Sequence, residues 1–325
     1  MQFDEITTYA PNQETMLVFA KGFNYIKKCF GNIGCAVSGG ADSDIMIDIL
    51  TKLDDEHKIK YVFFDTGIEY QATKRHLDEL EEKYNIKIDR VKTKKTVPTS
   101  CRQYGVPFFS KYVSEMMYRL QRHNFQWEDE PYDVLITRYP KCKTALRWWC
   151  NENGKSSGFN ISKNKLLKEF IIQNPPNFKI SAKCCHYAKK RPSKDWCKEN
   201  NIELLCLGVR KAENGIRSKN IKSCFSNSFD NGKGHDEWLP LFWLSDADKQ
   251  EYKDFNKIRY SDCYEVYGLK RTGCFGCPFA SGFENELEII KQYESNLYIA
   301  TDNTFGKSYE YTRAYREYKK GGVEK

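Results

Sequence analysis

The chain has 325 residues, of which 40% are hydrophobic, 14% aromatic and 30% charged. That aromatic content excludes a disordered chain, and no apolar run approaches the ~18 residues a membrane-spanning helix needs. The net charge of +8 is uneven: residues 1–90 carry −5, residues 91–225 carry +16 and residues 226–325 carry −3. A basic middle third favours a polyanionic partner, such as a nucleotide, a sulfated or phosphorylated metabolite, or a nucleic acid.

Residues 1–14 (MQFDEITTYAPNQE) lack the basic and apolar regions of a signal peptide. The expected location is therefore cytoplasmic, with no membrane partner. In a reducing compartment the 13 cysteines are expected as core thiols and as metal or cluster ligands, not as a disulfide framework.

The first 95 residues alternate between two periods. Residues 33–37 (IGCAV) form a short apolar strand that runs into Ser38-Gly39-Gly40. Residues 43–53 carry apolar positions at helical spacing. Residues 61–64 (YVFF) read as a second strand, 73–84 as a surface helix, and 86–91 as a third strand. This alternation implies a parallel sheet with right-handed crossovers, which binds ligands at the carboxyl ends of its strands. Further on, helices are expected over 108–121 and 162–172. Between them lie the basic, aromatic stretch 138–149 and a Gly/Ser/Asn-rich loop at 151–160. Residues 181–200 read as helical, with Pro192 opening a second helix. Residues 204–209 (LLCLGV) read as the last strand of the sheet, and 240–325 as turns and helices. The expected organisation is 1–95, the nucleotide-binding half; 96–180, a basic, aromatic, mainly helical insertion; 181–282, the second half of the core with its cysteine segments; and 283–325, a helical tail.

Ser38-Gly39-Gly40-Ala41-Asp42-Ser43 follows a strand and opens a helix. Two glycines let the backbone approach an anion, the helix N-terminus offers free N–H groups, and Ser38 and Ser43 add hydroxyl donors. No Gly-Lys-Ser/Thr follows, so this is not a Walker A loop. Asp65, Thr66 and Glu69 end the second strand, with a helix cap as the alternative role for Asp65. Gly208-Val209-Arg210, with Arg217 further on, follows the LLCLGV strand. Arginine suits phosphate or sulfate because its planar fork bonds two oxygens at once. Cys184-Cys185 and the CxxC of Cys274 and Cys277 form a thiolate set that suits an iron–sulfur cluster or zinc, with Cys224 as a rival ligand. The five histidines show no ligand spacing.

SGGADS resembles the PP-loop of the ATP-pyrophosphatase and adenine nucleotide alpha-hydrolase superfamily. Within it, Val62-Phe63-Phe64-Asp65-Thr66-Gly67-Ile68-Glu69-Tyr70 resembles the second-strand motif of the phosphoadenosine phosphosulfate reductase family. Lys183-Cys184-Cys185-His186-Tyr187-Ala188-Lys189-Lys190-Arg191-Pro192 is similar to the paired-cysteine segment of adenylyl-sulfate reductases, with Ala188 where that family usually has Arg. Gly208-Val209-Arg210-Lys211-Ala212-Glu213-Asn214 resembles the family's GxRxxES segment, with Asn214 for Ser.

The resemblance implies a three-layer α/β parallel-sheet domain of adenine nucleotide alpha-hydrolase type, with a helical insertion and a cysteine-rich C-terminal region. It implies ATP or an adenylyl sulfate as the bound nucleotide, held by Ser38, Gly39, Gly40, Asp42, Ser43, Asp65, Thr66, Glu69 and Gly208. Arg210 and Arg217 would meet its terminal anion, and magnesium is a further expected ion. It also implies a 4Fe–4S cluster on Cys184, Cys185, Cys274 and Cys277, with zinc as the alternative, and an external reductant or sulfur donor.

Reductases of this family use a catalytic cysteine near the C-terminus. Here the last cysteine is Cys277, so no catalytic residue is assigned, and Cys101 and Cys142 are the substitute nucleophiles to consider. The expected activity is sulfur transfer or reduction. Two alternatives are ATP-dependent thiolation of tRNA or DNA and a non-catalytic nucleotide-binding module. Arg147-Trp148-Trp149 favours nucleic acid, since basic–aromatic interleaving suits stacking on single strands.

Overall fold

The computed structural model describes residues 4–5, 8–213, 221–227, 234–280 and 282–321. Among these, no helix is long and apolar enough to cross a membrane. The chain divides into two compact units, Met1–Thr93 with Lys189–Cys274, and Lys94–Ala188 with Phe275–Lys325.

The first unit holds one six-stranded sheet. Its strands are β1 (Ile33–Val37), β2 (Ile59–Asp65), β3 (Ile88–Lys92), β4 (Leu204–Leu207), β5 (Phe225–Ser226) and β6 (Asp236–Trp238). The order is β3-β2-β1-β4-β6-β5. All neighbours are parallel except β5 against β6. Ile33 stands opposite Ile59 on one side and Leu204 on the other. Side chains alternate between the faces, and each face has its own core. Ile33, Cys35, Val37, Tyr61, Phe63 and Cys206 join the larger cluster with helix Ala41–Leu53. Val62 and Leu205 pack with Trp196 and Cys197 of helix Arg191–Glu199. This gives the helix–sheet–helix layering expected for an α/β domain.

Two expectations change. β4 is not the last strand but an interior one, between β1 and β6. Asp236–Trp238 supplies only three residues, two of them acidic, so no apolar run announces it. Helix Gln13–Asn24 was not anticipated. Asn12 caps it through Thr15 N–H at 2.9 Å, and Val18 and Phe19 are buried.

The second unit is helical. It contains Val97–Tyr104, Lys111–Gln121, Tyr132–Arg138, Lys143–Trp149, Leu167–Gln173, Lys183–Cys185, Phe283–Tyr293 and Ser295–Gly321. The helix expected over 108–121 begins at Lys111, because Ser110 caps it by accepting from Val113 N–H at 3.2 Å. The helix expected over 162–172 is Leu167–Gln173, preceded by a short turn of helix at Ile161–Lys163. Phe108, Met117, Leu146, Trp148, Trp149 and Phe170 centre its core. Trp148 and Trp149 are both 0% exposed, which corrects the expectation of a stacking surface at Arg147-Trp148-Trp149. Each indole has more apolar area to remove from water than any other side chain, and helix Lys143–Trp149 turns both inward.

Candidate functional site

The candidate nucleotide site grows from the turn after β1. Gly39 has φ +65°, in the left-handed region where a Cβ is disfavoured, and an added Cβ would lie 2.6 Å from Thr73 Cγ2. Gly40 is the N-cap of helix Ala41–Leu53. The Ser38 N–H donates to Ser43 Oγ at 3.1 Å, and the Gly40 N–H to Ser38 Oγ at 3.4 Å. The loop is thus shaped by its own two serines. Gly208, just past β4, faces it: a Cβ there would stand 3.5 Å from the backbone of Asp42 and Ser43.

Asp42 is the polar hub of this face. It accepts from Arg210 Nε at 2.9 Å and from Lys249 Nζ at 2.7 Å. Arg210 is 5% exposed. Its other terminal nitrogens donate to Asp246 at 2.8 Å and to the Leu244 carbonyl at 3.4 Å. Glu213 accepts from the Arg210 backbone N–H at 3.1 Å, not from the guanidinium. Arg217 lies outside the described residues.

Asp65, Thr66 and Glu69 gather at the end of β2. Asp65 accepts from Gly67 N–H at 2.9 Å, shaping its own turn. It does not cap the next helix, whose N-cap is Tyr70. Thr66 is fully buried and donates to Glu69 at 2.6 Å. Burial pushes the Glu69 carboxyl up, partly offset by Lys189 and Thr66. Cys274 Sγ lies 3.6 Å from Thr66 Oγ1, so one cysteine of the CxxC stands beside the β2 motif.

Lys249 and Asp246 complete the Asp42–Arg210 network, Asp246 from the segment 240–246 that resembles the family's proline–tryptophan–aspartate stretch. Tyr264 covers the loop: its hydroxyl accepts from the Ala41 and Thr272 N–H groups, the latter at 3.1 Å. Lys249 and Tyr264 carry no motif that marks them in the sequence.

The cysteines are shared between the two units. Cys274 closes the first unit, while Cys101, Cys184, Cys185 and Cys277 belong to the second. There the Cys184 thiol hydrogen-bonds with Cys101 and Cys185 and feels the charge of Cys277. Cys101, burial and Cys277 push its pKa far up, partly offset by the hydrogen bond with Cys185. Helix Val97–Tyr104 brings Cys101 in by packing against Lys183–Cys185. One turn on, Tyr104 stacks on Tyr187 at 4.8 Å and 12°. Lys95 sits over both rings. Cys101 has no flanking motif that marks it in the sequence as a companion of Cys184. Cys142 is buried, with its thiol pushed up by burial, which removes it as an accessible nucleophile. Cys224 is 3.6 Å from Lys21 Nζ in the first unit. Among the described residues no group of three or more His, Cys, Asp or Glu side chains is placed to hold a metal ion.

Sheet order, the loop after β1 and the facing end of β4 define an α/β domain with a candidate ligand site at the carboxyl ends of its strands. Residues 32–126 match the model of the phosphoadenosine phosphosulfate reductase domain. The chain is 26% identical over 243 residues to the uncharacterized protein MJ0066 of Methanocaldococcus jannaschii, covering 75% of this chain and 35% of that one. It thus spans about a third of the length of that relative. Among solved structures it is similar to phosphoadenylyl-sulfate reductase of Candida auris in a phosphate complex, at 14% identity and TM-score 0.45, covering 85% of this chain and 96% of that one. It is also similar to the U34-tRNA thiolase NcsA of Methanococcus maripaludis with its 4Fe–4S cluster, at 11% identity and TM-score 0.39, covering 92% and 79%.

Proposed function

We propose that the chain is an enzyme that binds an adenine nucleotide, ATP or an adenylyl sulfate, and acts in sulfur transfer or reduction. One observation carries the nucleotide reading. The loop 38–43 leaves β1, the strand where the order reverses between β2 and β4, and ligands of open parallel sheets bind at such a switch point. The backbone of Gly39 and Gly40 would cradle phosphate, with Ser38 and Ser43 adding hydroxyls. Asp65, Thr66 and Glu69 would line the β2 side. Gly208 leaves room on the β4 side, and Arg210 would position Asp42 and the loop through their ion pair. Arg217 and a magnesium ion would meet the terminal anion.

The thiols fit a sulfur-ligated group by donor chemistry. Cys184, Cys185, Cys277 and Cys101 of the helical unit would hold a 4Fe–4S cluster, and zinc is the other group such donors accept. A cluster, when bound, would supply electron or sulfur chemistry. The protein's own contribution is to orient these thiols on the helical turn Lys183–Cys185 and around Gly276. An external reductant or sulfur donor would complete the reaction.

Anaerobic purification followed by iron, sulfide and zinc assays, with calorimetric titration of a non-hydrolysable ATP analogue, tests both halves. A band near ~400 nm with about four irons per chain, together with saturable nucleotide binding, is expected. A colourless protein with one zinc would end the cluster reading, and failure to bind any adenine nucleotide would end the enzyme reading.

A further inference from the structure

The helical unit contains a cleft of about 440 Å³ that none of the nucleotide or thiol residues occupies. Its size falls within the ~300–1,000 Å³ of ordinary ligand sites. Lys163, Lys165 and Lys319 line it. All three are exposed, and none has a carboxylate within ion-pair distance among the described residues. A fourth cation, Arg316, is already matched by Glu284.

Two half-buried rings, Phe109 and Phe279, face the same space. Phe109 has φ +59°, a left-handed conformation that is strained for a bulky residue and clusters at ligand clamps. The wall also holds Thr312, which is 5% exposed. Its Oγ1 is buried with no hydrogen-bond partner. Orphaned hydroxyls in interiors are uncommon because each forfeits a bond that water would have made. An open cleft lined by unmatched ammonium groups, half-buried rings and one orphaned hydroxyl is equipped for a ligand with phosphates, flat aromatic groups and hydrogen-bonding atoms.

We propose that this cleft binds a single-stranded segment of nucleic acid. Lys163, Lys165 and Lys319 meet successive phosphates, a base stacks on Phe279, and Thr312 bonds a base or sugar. An acidic peptide would use the lysines but gives the rings nothing flat to stack on. Phe279 lies two residues beyond Cys277, so a strand held here runs past the chain segment that carries one of the thiols. The inference goes beyond the nucleotide reading and does not depend on it, since the cleft lies wholly in the unit of Lys94–Ala188 and Phe275–Lys325.

The test uses the full chain and fluorescein-labelled oligonucleotides of about 12 nucleotides, one of RNA and one of DNA, read by anisotropy across a salt titration. Wild type should bind at least one of them with a steep salt dependence, and the tighter arm names the natural class. K163A/K165A/K319A should bind at least 10-fold more weakly. Its slope of log affinity against log salt should be shallower by about 2, from roughly 0.7 per phosphate contact on single strands. F279A should lose about 5- to 100-fold with the salt slope unchanged, as a lost stack requires. Circular dichroism and ATP-analogue binding should be unaltered in both variants. An unchanged affinity in the triple variant would overturn the proposal. So would a F279A variant that binds like wild type while polyglutamate displaces the oligonucleotide equally well, which would assign the cleft to acidic polypeptide.

Discussion

Arg210, at the carboxyl end of β4, donates from Nε to Asp42, in the loop after β1, at 2.9 Å. This pair ties together two strands that neighbour each other in the sheet. It also explains why an arginine beyond β4 is nearly fully buried: Asp42 and Asp246 each neutralise part of its charge. A buried ion pair adds little net stability, but removing one partner strands the other.

Asp42→Ala and Arg210→Ala are therefore each expected to destabilise the fold by about 1–3 kcal/mol. Arg210 keeps Asp246 and Asp42 keeps Lys249, which holds the loss below that of a fully isolated buried pair. The double variant should lose less than the two singles combined, because the residues are coupled. Urea denaturation checks this, and additive losses would show that the pair is not one unit. On the proposed nucleotide site, both single variants are also expected to weaken ATP-analogue binding at least 10-fold, because this pair holds the loop 38–43.

Gly39 separates backbone freedom from side-chain space. Its φ of +65° disfavours any Cβ, and the nearest obstacle is Thr73 Cγ2 at 2.6 Å. Gly39→Ala should cost about 1–3 kcal/mol and sharply weaken nucleotide binding. Thr73→Ser deletes the obstructing methyl and keeps the hydroxyl, so G39A/T73S should recover part of the loss and not all of it. Full recovery would mean the left-handed backbone matters little, and no recovery would mean the clash is irrelevant. Melting temperature and ATP-analogue affinity report on the two effects separately.

His76 and Asp44 give the pH dependence its sign. His76 Nε2 lies 2.9 Å from Asp44 and Nδ1 lies 3.1 Å from Glu79. Burial alone would lower the imidazole, but the two carboxylates more than offset it and raise its pKa above the ordinary 6.5. A group whose folded pKa is raised gives its full stabilisation below the unfolded value and loses it as pH rises through the folded one. Stability should therefore fall as pH climbs from about 6.5 upward. Burial raises Asp44 too, so the pair holds its proton longer than either group would alone. His76→Gln keeps a donor without a titration, and it should flatten this part of a pH series of thermal melts. An unchanged slope in the variant would place the dependence elsewhere.

The strands and helices of the first 95 residues are legible in the sequence because their signals are local. Apolar runs bounded by Ser38-Gly39-Gly40 and by Asp65-Thr66-Gly67 specify strand, turn and helix within a few residues. The sheet beyond β4 was not legible, since Asp236–Trp238 has too few residues to show a period. Trp148 and Trp149 misled for another reason. Lys141, Lys143 and Arg147 make the segment look like a surface, yet its helix turns the two indoles inward and leaves the charges outside. Cys101 was invisible as a companion of Cys184 because 83 residues separate them and only the packing of two helices joins them.

Gly276 lies between Cys274 and Cys277, where the turn leaves no room for a side chain. Its φ is +58°, and an added Cβ would lie 2.7 Å from Tyr309 Oη, with Thr301 Cγ2 nearer still. Neither neighbour can retreat easily. Tyr309 is 1% exposed and donates to the Gly276 carbonyl, and Thr301 is fully buried. Gly276→Ala combines a left-handed backbone penalty of about 1–2 kcal/mol with an overpacking cost of about 1–3 kcal/mol, so a loss of about 2–5 kcal/mol is expected. Relief requires the turn to move, and Cys277 moves with it, so metal content per chain should fall along with the melting temperature. Gly282→Ala is the matched control: it lies six residues on, and among the described residues nothing stands within 4 Å of its added Cβ. It should leave both readings near wild type. A Gly276→Ala protein that melts and binds metal like the control would show that the turn between the two cysteines is not fixed by Tyr309 and Thr301.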